Sequence, residues 1–200
     1  MRIVVSEFTS LDGVVQAPGG EGEDPEGGFA HGGWSAPYFD ETVMGRAIDE
    51  AMAGTDAMLF GRRTWQAMAA AWPEQAGDPF ADRINQIPKY VASTTLTADD
   101  LTWANSRLLP ANDVVGAIAE LRATDGGYLM VWGSTVLVRT LFAHDLVDEV
   151  RLMIEPVVLG GGKRVFPDDG RMRGVELVDS VVAATGVIVC TYRTAAGGGA

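Results

Sequence analysis

Twice in this chain a short apolar run ends on a glycine and passes directly into a helix, and that pattern constrains the fold more than any other. The clearer case is Leu129 to Ser134: the run Tyr128 to Trp132 lacks polar alternation, as expected of a strand covered on both faces. Val136, Leu137, Leu141 and Phe142 follow at helical spacing, so the helix begins directly after Gly133, where Ser134 is placed to cap it. A helix N-terminus exposes unpaired N–H groups and a positive dipole end, and a glycine there lets a phosphate approach the backbone. The same junction is also an ordinary connection in any α/β fold, so a phosphate seat and a plain turn are both open.

The second junction is Ala57 to Phe60, then Gly61, then Arg62-Arg63-Thr64-Trp65, opening a helix that continues through Met68 toward Trp72. Two arginines in a first helical turn oppose the macrodipole, an arrangement that an anion relieves. Solvated surface arginines are the plainer reading, but this pair sits at the C-terminal end of a strand, where open α/β sheets bind ligands. A third such edge follows Lys89 to Ala92 and ends in Ser93-Thr94-Thr95, whose hydroxyls suit either a phosphate or ribose contact or a simple turn.

With 200 residues, 47% of them hydrophobic, the chain is long enough for one well-buried domain, read here as 1–194 with a loose tail over 195–200. A formal charge of −12 argues against nucleic acid or an anionic membrane as the main partner, because both need a basic face. The single Cys190, with only His31 and His144 beside it, leaves neither an intrachain disulfide nor a metal site to expect, and fits a reducing cytoplasm. The start Met-Arg-Ile-Val-Val-Ser reads as a strand rather than a signal segment, and no run is long enough to span a bilayer.

Strands and helices alternate along the chain. Arg2 to Phe8 reads as the first strand, followed by Ser10-Leu11-Asp12-Gly13 and a glycine-rich, acidic, mobile surface loop from Gly13 to Gly33. Tyr38 to Ala53 places Met44, Ala47, Ile48 and Met52 near one helical face, and Asn112 is positioned to cap a helix through Leu121. Glu149 to Ile154 is another strand, leading to the triple glycine Gly160 to Gly162. Val175 to Val182 and Val187 to Tyr192 face each other across Ala183 to Gly186 as a closing antiparallel hairpin.

This order, with Ser-Leu-Asp-Gly early, Gly61-Arg62-Arg63-Thr64-Trp65 next, Gly133-Ser134-Thr135 later, then Leu146-Val147-Asp148-Glu149 and Pro156 to Lys163 ending at Phe166, resembles the dihydrofolate reductase superfamily. More closely, it is similar to stand-alone proteins related to the C-terminal reductase domain of bacterial riboflavin biosynthesis. The resemblance covers nearly the whole chain and implies an α/β fold, a mainly parallel sheet flanked by helices with an antiparallel C-terminal hairpin. It also implies NADPH binding, hydride transfer and a homodimer. On that pattern Gly61, Arg62, Arg63 and Thr64 hold the pyrophosphate and the 2′-phosphate, and Ser93 and Thr94 support the adenosine end. Gly133, Ser134, Thr135 and Val136 wrap the diphosphate; Leu11, Asp12 and Gly13 line the nicotinamide, with Gly160 and Gly161 in another wall. An arginine fork suits a phosphate monoester, the one difference between NADPH and NADH.

Two departures bear on the substrate. The middle of the first long helix reads Val43-Met44-Gly45-Arg46-Ala47, without the acid that engages the pteridine in dihydrofolate reductases, and Asp40 and Glu41 lie nearer its start. Trp132 stands where riboflavin-pathway reductases typically carry an acid. Asp12 is then the candidate to position substrate or relay a proton, against a plain Asp-Gly turn, while Trp34, Tyr38 and Trp132 are candidates to stack on an aromatic substrate. Three functions follow: an NADPH-dependent reductase of a small pterin- or pyrimidine-like heterocycle; a pathway enzyme, either 5-amino-6-(5-phosphoribosylamino)uracil reductase or dihydrofolate reductase; and a non-catalytic nucleotide-binding module.

Overall fold

Among the described residues, which are 1–195 of the computed structural model, eight strands form one sheet in the order β4-β3-β2-β5-β1-β6-β8-β7. The strands are β1 (Arg2–Ser10), β2 (Thr55–Gly61), β3 (Lys89–Ala92), β4 (Ser106–Leu108), β5 (Tyr128–Trp132), β6 (Glu149–Glu155), β7 (Val175–Val182) and β8 (Ile188–Thr194). The first six run parallel, while β8 pairs antiparallel with both β6 and β7. Five helices cover the faces: α1 (Arg46–Ala53), α2 (Arg62–Ala71), α3 (Pro79–Gln86), α4 (Val114–Ala123) and α5 (Thr135–Ala143). This is the α/β architecture expected, a mainly parallel sheet closed by an antiparallel hairpin. All of the expected loose tail except Ala195 lies outside the described residues.

Alternation along the central strands divides the core. Ile3, Val5, Leu129 and Val131 pack beneath Ile118 of α4 and Leu137, Val138, Leu141 and Phe142 of α5. On the opposite face Val4, Met58, Phe60 and Met130 meet Met52 of α1, Trp65 of α2 and Ile84 of α3. Successive side chains of a strand point to opposite faces, so an apolar run such as Tyr128 to Trp132 fills both layers at once.

Several local expectations shift. β1 runs two residues past Phe8, to Ser10. The helix expected from Tyr38 begins instead as a π-helical turn over Glu41–Gly45, capped by the Asp40 carboxylate on the Val43 N–H at 2.8 Å, before α1 proper. Asp113, not Asn112, caps α4, accepting from the Gly116 N–H at 2.9 Å. Helix α3, capped by Asp78 on the N–H groups of Phe80 and Ala81, and strand β4 both escaped the sequence reading. Neither has the length or periodicity to stand out.

The segment from Gly13 to Gly33 is not a surface loop throughout. Val14, Val15, Gln16 and Ala17 are buried, and Val14 bridges to Arg164. Gln16 organises the rest: its side-chain N–H groups donate to the carbonyls of Asp24 and Glu26, each at 2.9 Å, and its Oε1 accepts from the Lys163 N–H at 3.0 Å. Trp34 donates from Nε1 to the Gln16 carbonyl at 2.8 Å, and Ser35 donates to Oε1 of Glu155 at 2.5 Å. The loop is therefore clasped to the C-terminal ends of β1 and β6.

Two buried ionisable groups make the fold testable. Lys89 is fully buried, donates to the carbonyls of Asn85, Ile87 and Ala104 at 2.9, 2.8 and 3.0 Å, and lies 4.4 Å from the Trp103 ring centre. Lys89→Met leaves three buried carbonyls without that donor and is expected to lower unfolding free energy by about 2–4 kcal/mol, read by urea denaturation.

Glu155 is also fully buried, and burial raises its carboxyl to about 7 although the Ser35 hydrogen bond pulls the other way. The unfolded chain ionises this group near 4.5, so between that pH and 7 the native state holds the extra proton and stability falls as pH rises. Relative to Glu155→Gln, the wild type is expected to lose up to about 3 kcal/mol across that window. Parallel pH dependences in urea titrations of the two proteins would exclude this.

Candidate functional site

A cavity of about 990 Å³ opens at the C-terminal ends of β1 and β5, with the clasped loop as its far wall. Both strand-glycine-helix junctions reach it. Arg63 and Thr64 come from the first turn of α2, Trp132 and Gly133 from the end of β5, and Ser134 and Thr135 from the start of α5. Glu7 and Ser6 line it from β1, Trp72 and Phe80 from the α2 and α3 side, and Gln16, Glu23, Asp24 and Glu26 from the loop.

The junctions are cross-braced. Ser134 Oγ accepts from the Gly61 N–H at 2.9 Å, and Thr64 Oγ1 accepts from the Ser134 N–H at 2.9 Å. Ser134 therefore does not cap α5 with its side chain; it sits in the left-handed region at φ 59° with its hydroxyl turned toward β2. Gly133 has φ +56°, and a Cβ there would lie 3.1 Å from Thr64 Cγ2, so both the turn and the close approach of α2 call for glycine. The Gly133 N–H donates to Glu7 Oε2 at 3.1 Å. Gly133 and Ser134 thus have their N–H groups partnered inside the protein, leaving Thr135 and Val136 to open the helix.

Charge at the rim is paired. Glu26 bonds Arg63, and it also meets Lys163 at 2.6 Å; Lys163 reaches Asp24 at 2.5 Å as well. These partners, the Arg63 bond first, hold the Glu26 carboxyl at about 2. Arg62 is exposed and forms no ion pair among the described residues.

An aromatic wall completes the cavity. Trp132 stacks on Phe80 with ring centres 6.1 Å apart at 12°, and Phe80 meets Trp72 at 5.5 Å.

Of the residues singled out from the sequence, Arg63, Thr64, Trp132, Gly133, Ser134 and Thr135 come together in this cavity. Gly61 stands behind it, braced to Ser134. Arg62 and Val136 project from the first turns of their helices outside the lining, both exposed. Ser93 accepts from the N–H groups of Thr95 and Leu96 at 3.1 and 3.0 Å, a turn-forming role, and Thr94 is exposed beside it.

Asp12 lies outside the lining. Its carboxylate accepts from the Ser10 hydroxyl at 2.7 Å and from the N–H groups of Leu159 and Gly160 at 3.1 and 3.0 Å. Those bonds, Ser10 first, hold it at about 2, so near neutral pH it carries no proton to give. Its geometry ties the Leu11 to Gly13 turn to the glycine-rich loop; Leu11 donates to the Val157 carbonyl at 2.8 Å, and Gly13 to that of Ser10 at 2.9 Å. Gly161 lines a smaller neighbouring pocket with Phe29 and His31, and Gly160 sits beside it. Trp34 anchors the loop on Gln16, and Tyr38 packs against the cluster around Met44 and Met153.

Glu7 is a cavity residue that the sequence analysis does not single out. It is 6% exposed, burial raises its carboxyl well above the ordinary carboxylate range, and its Oε1 has no partner. The signal was present as an acid interrupting the apolar strand Ile-Val-Val-Ser-Glu-Phe, in a sheet covered on both faces.

Comparison with known proteins agrees with this architecture. The model of the RibD C-terminal domain family matches residues 2–189. The uncharacterized protein YyaP of Bacillus subtilis (strain 168) is 25% identical over 201 residues, covering 96% of this chain and 94% of that protein. Among solved structures, a protein assigned to riboflavin biosynthesis from Shewanella sp. PV-4 superposes with a TM-score of 0.70 at 20% identity, covering 98% of this chain and 99% of its own. A pyrimidine reductase-like protein from Corynebacterium diphtheriae gives 0.60 at 15% identity, covering 97% and 92%. Dihydrofolate reductase from Enterococcus faecalis, solved with NADP(H) and RAB-propyl, gives 0.57 at 14% identity, with 96% of each chain covered. With the family model spanning nearly all of its length and these neighbours sharing its sheet, the chain belongs to the RibD C-terminal domain family and carries the dihydrofolate reductase-like fold of a reductase family.

Proposed function

We propose that the protein is an NADPH-dependent reductase that transfers hydride to a small, flat heterocycle. The observation that carries this reading is the convergence of both strand-glycine-helix junctions on one cavity, with an aromatic wall beside them. The start of α5 offers its dipole and the N–H groups of Thr135 and Val136 to a diphosphate. Arg62 and Arg63 at the start of α2 suit the 2′-phosphate, an assignment that fits the cost of holding two cations at a helix N-terminus. When bound, the cofactor supplies the hydride; the protein's part is to position it against the heterocycle and keep water away. Trp132 lines the cavity and favours an apolar flat ring over a ribosylated pyrimidine, which would leave polar groups against the indole. That supports a heterocycle reductase over either named pathway enzyme.

Glu26 already holds Arg63, so an anionic cofactor has to displace it. This contact is what a non-catalytic module would also show, and cofactor oxidation with a panel of pterins and pyrimidines separates the two. Charge-assisted contacts to the 2′-phosphate are expected to favour NADPH over NADH by about 1.5–3 kcal/mol, roughly 10- to 150-fold in Kd. Titration of the intrinsic tryptophan fluorescence, to which the cavity residues Trp72 and Trp132 contribute, is expected to show that preference collapsing in the Arg62→Ala, Arg63→Ala double variant and both affinities tightening in Glu26→Gln. Equal affinity for the two cofactors in the wild type sinks the assignment.

We also infer a homodimer built on the C-terminal hairpin. Every residue of β7 is exposed, and Leu177, Val178, Val181 and Val182 leave an apolar edge strand beside Ile188 of β8. Light scattering is expected to give twice the chain mass for the wild type and a monomer for Leu177→Lys, Val181→Lys. A monomeric wild type refutes it.

A further inference from the structure

We propose that Glu7 is the ligand-recognising carboxyl of the cavity, and that it selects a flat nitrogen heterocycle presenting a cationic N–H edge, of the amidine or 2-aminoimine kind. The inference rests on reading the cavity as the substrate site. Glu7 lies in its floor beside Trp132 and Gly133, with Oε2 on the Gly133 N–H and Oε1 without a partner. The other buried acids of the sheet stand outside the cavity. Glu149 pairs with Arg151 at 2.7 Å; Glu155 takes the Ser35 hydroxyl on Oε1 and, like Glu7, leaves its second oxygen without a partner, but does not line the cavity. Glu7 meets no cation and caps no helix, so its free oxygen has no structural task that the fold reveals. A buried acceptor left unmade is unfavourable, and a donor arriving with a ligand removes that penalty.

The surroundings choose the sign of the donor. Glu23, Asp24 and Glu26 line the cavity with Arg63 as their cationic counterpart, and Glu26 and Asp24 have already drawn in Arg63 and Lys163. Of the strands flanking β1, β5 contributes Tyr128, and β6 contributes Glu149, Arg151 and Glu155 with the partners just given. The potential at Glu7 is negative, which favours a cationic edge, and the Trp132, Phe80 and Trp72 rings accept a planar one. Burial first, with Glu23 adding to it and the Gly133 hydrogen bond opposing it, raises the empty Glu7 carboxyl well above the usual carboxylate range. A protonated ligand nitrogen therefore displaces the acid proton: the carboxylic acid and the cation become a carboxylate-cation pair, and one proton leaves to solvent.

The test is calorimetric titration of the cofactor-free protein at about pH 6, in two buffers of different ionisation enthalpy. The probes are 2-aminobenzimidazole, cationic there, and its neutral near-isostere benzimidazol-2-one. Expected are at least about tenfold tighter binding of the cation and a net release of protons on binding. Glu7→Gln keeps an acceptor for the Gly133 N–H and is expected to lose both effects, whereas Glu7→Asp retains proton release with weaker binding. Equal affinity for the two probes, no binding of the cation, or an unchanged profile in a folded Glu7→Gln would overturn the proposal. If Glu7→Gln does not fold, the wild-type preference and proton release decide alone. Because no cofactor enters the titration, failure here leaves the NADPH reading intact, and equal affinity for NADPH and NADH leaves this one intact.

Discussion

The brace between the two strand-glycine-helix junctions governs the rest of the site. Ser134 accepts from the Gly61 N–H through its hydroxyl and donates its own N–H to Thr64 Oγ1, which fixes α2 and α5 against each other at the sheet edge. Gly133 is the point where this works sterically, since any side chain there meets Thr64. A helix start that spends its first N–H groups on neighbours is a stiffer but narrower anion seat than an open one. The site therefore depends on the amides deeper in the first turn of α5 and on arginines brought from α2.

The fold was legible because its strongest signals are periodic and local. Tyr128 to Trp132 has one interpretation as a strand buried on both faces, and the hairpin around Ala183 to Gly186 carries its own turn chemistry. What sequence could not show is which of several equivalent polar groups wins a bond. Asn112 and Asp113 are both good caps, and chain geometry picks Asp113. Ser134 stands at the capping position, yet a left-handed turn sends its hydroxyl to Gly61, seventy-three residues away in the chain.

The candidate site divides in the same way. Arg63, Thr64 and the Trp132 to Thr135 segment were legible because each adjoins a strand end, and the parallel sheet brings such ends together. Asp12 satisfied the same logic on paper, but four groups compete for its carboxylate, and the loop from Leu159 to Gly160 claims it. Glu7 was missed because its meaning depends on Gly133 lying beside it, just past the end of the neighbouring strand β5. Gln16 was likewise silent in sequence, although it settles where the acidic loop lies.

Lysine usage gives the molecule an unplanned chemical reporter. The sequence holds Lys89 and Lys163 and no other lysine. Lys89 is sealed in the core, and the α-amino group of Met1 is bonded to the carbonyls of Arg122 and Thr124. Amine-directed acylation then concentrates on Lys163, whose ammonium is tied to the acidic residues of the loop. Its labelling rate becomes a clock for loop detachment, readable by mass spectrometry without any engineered tag.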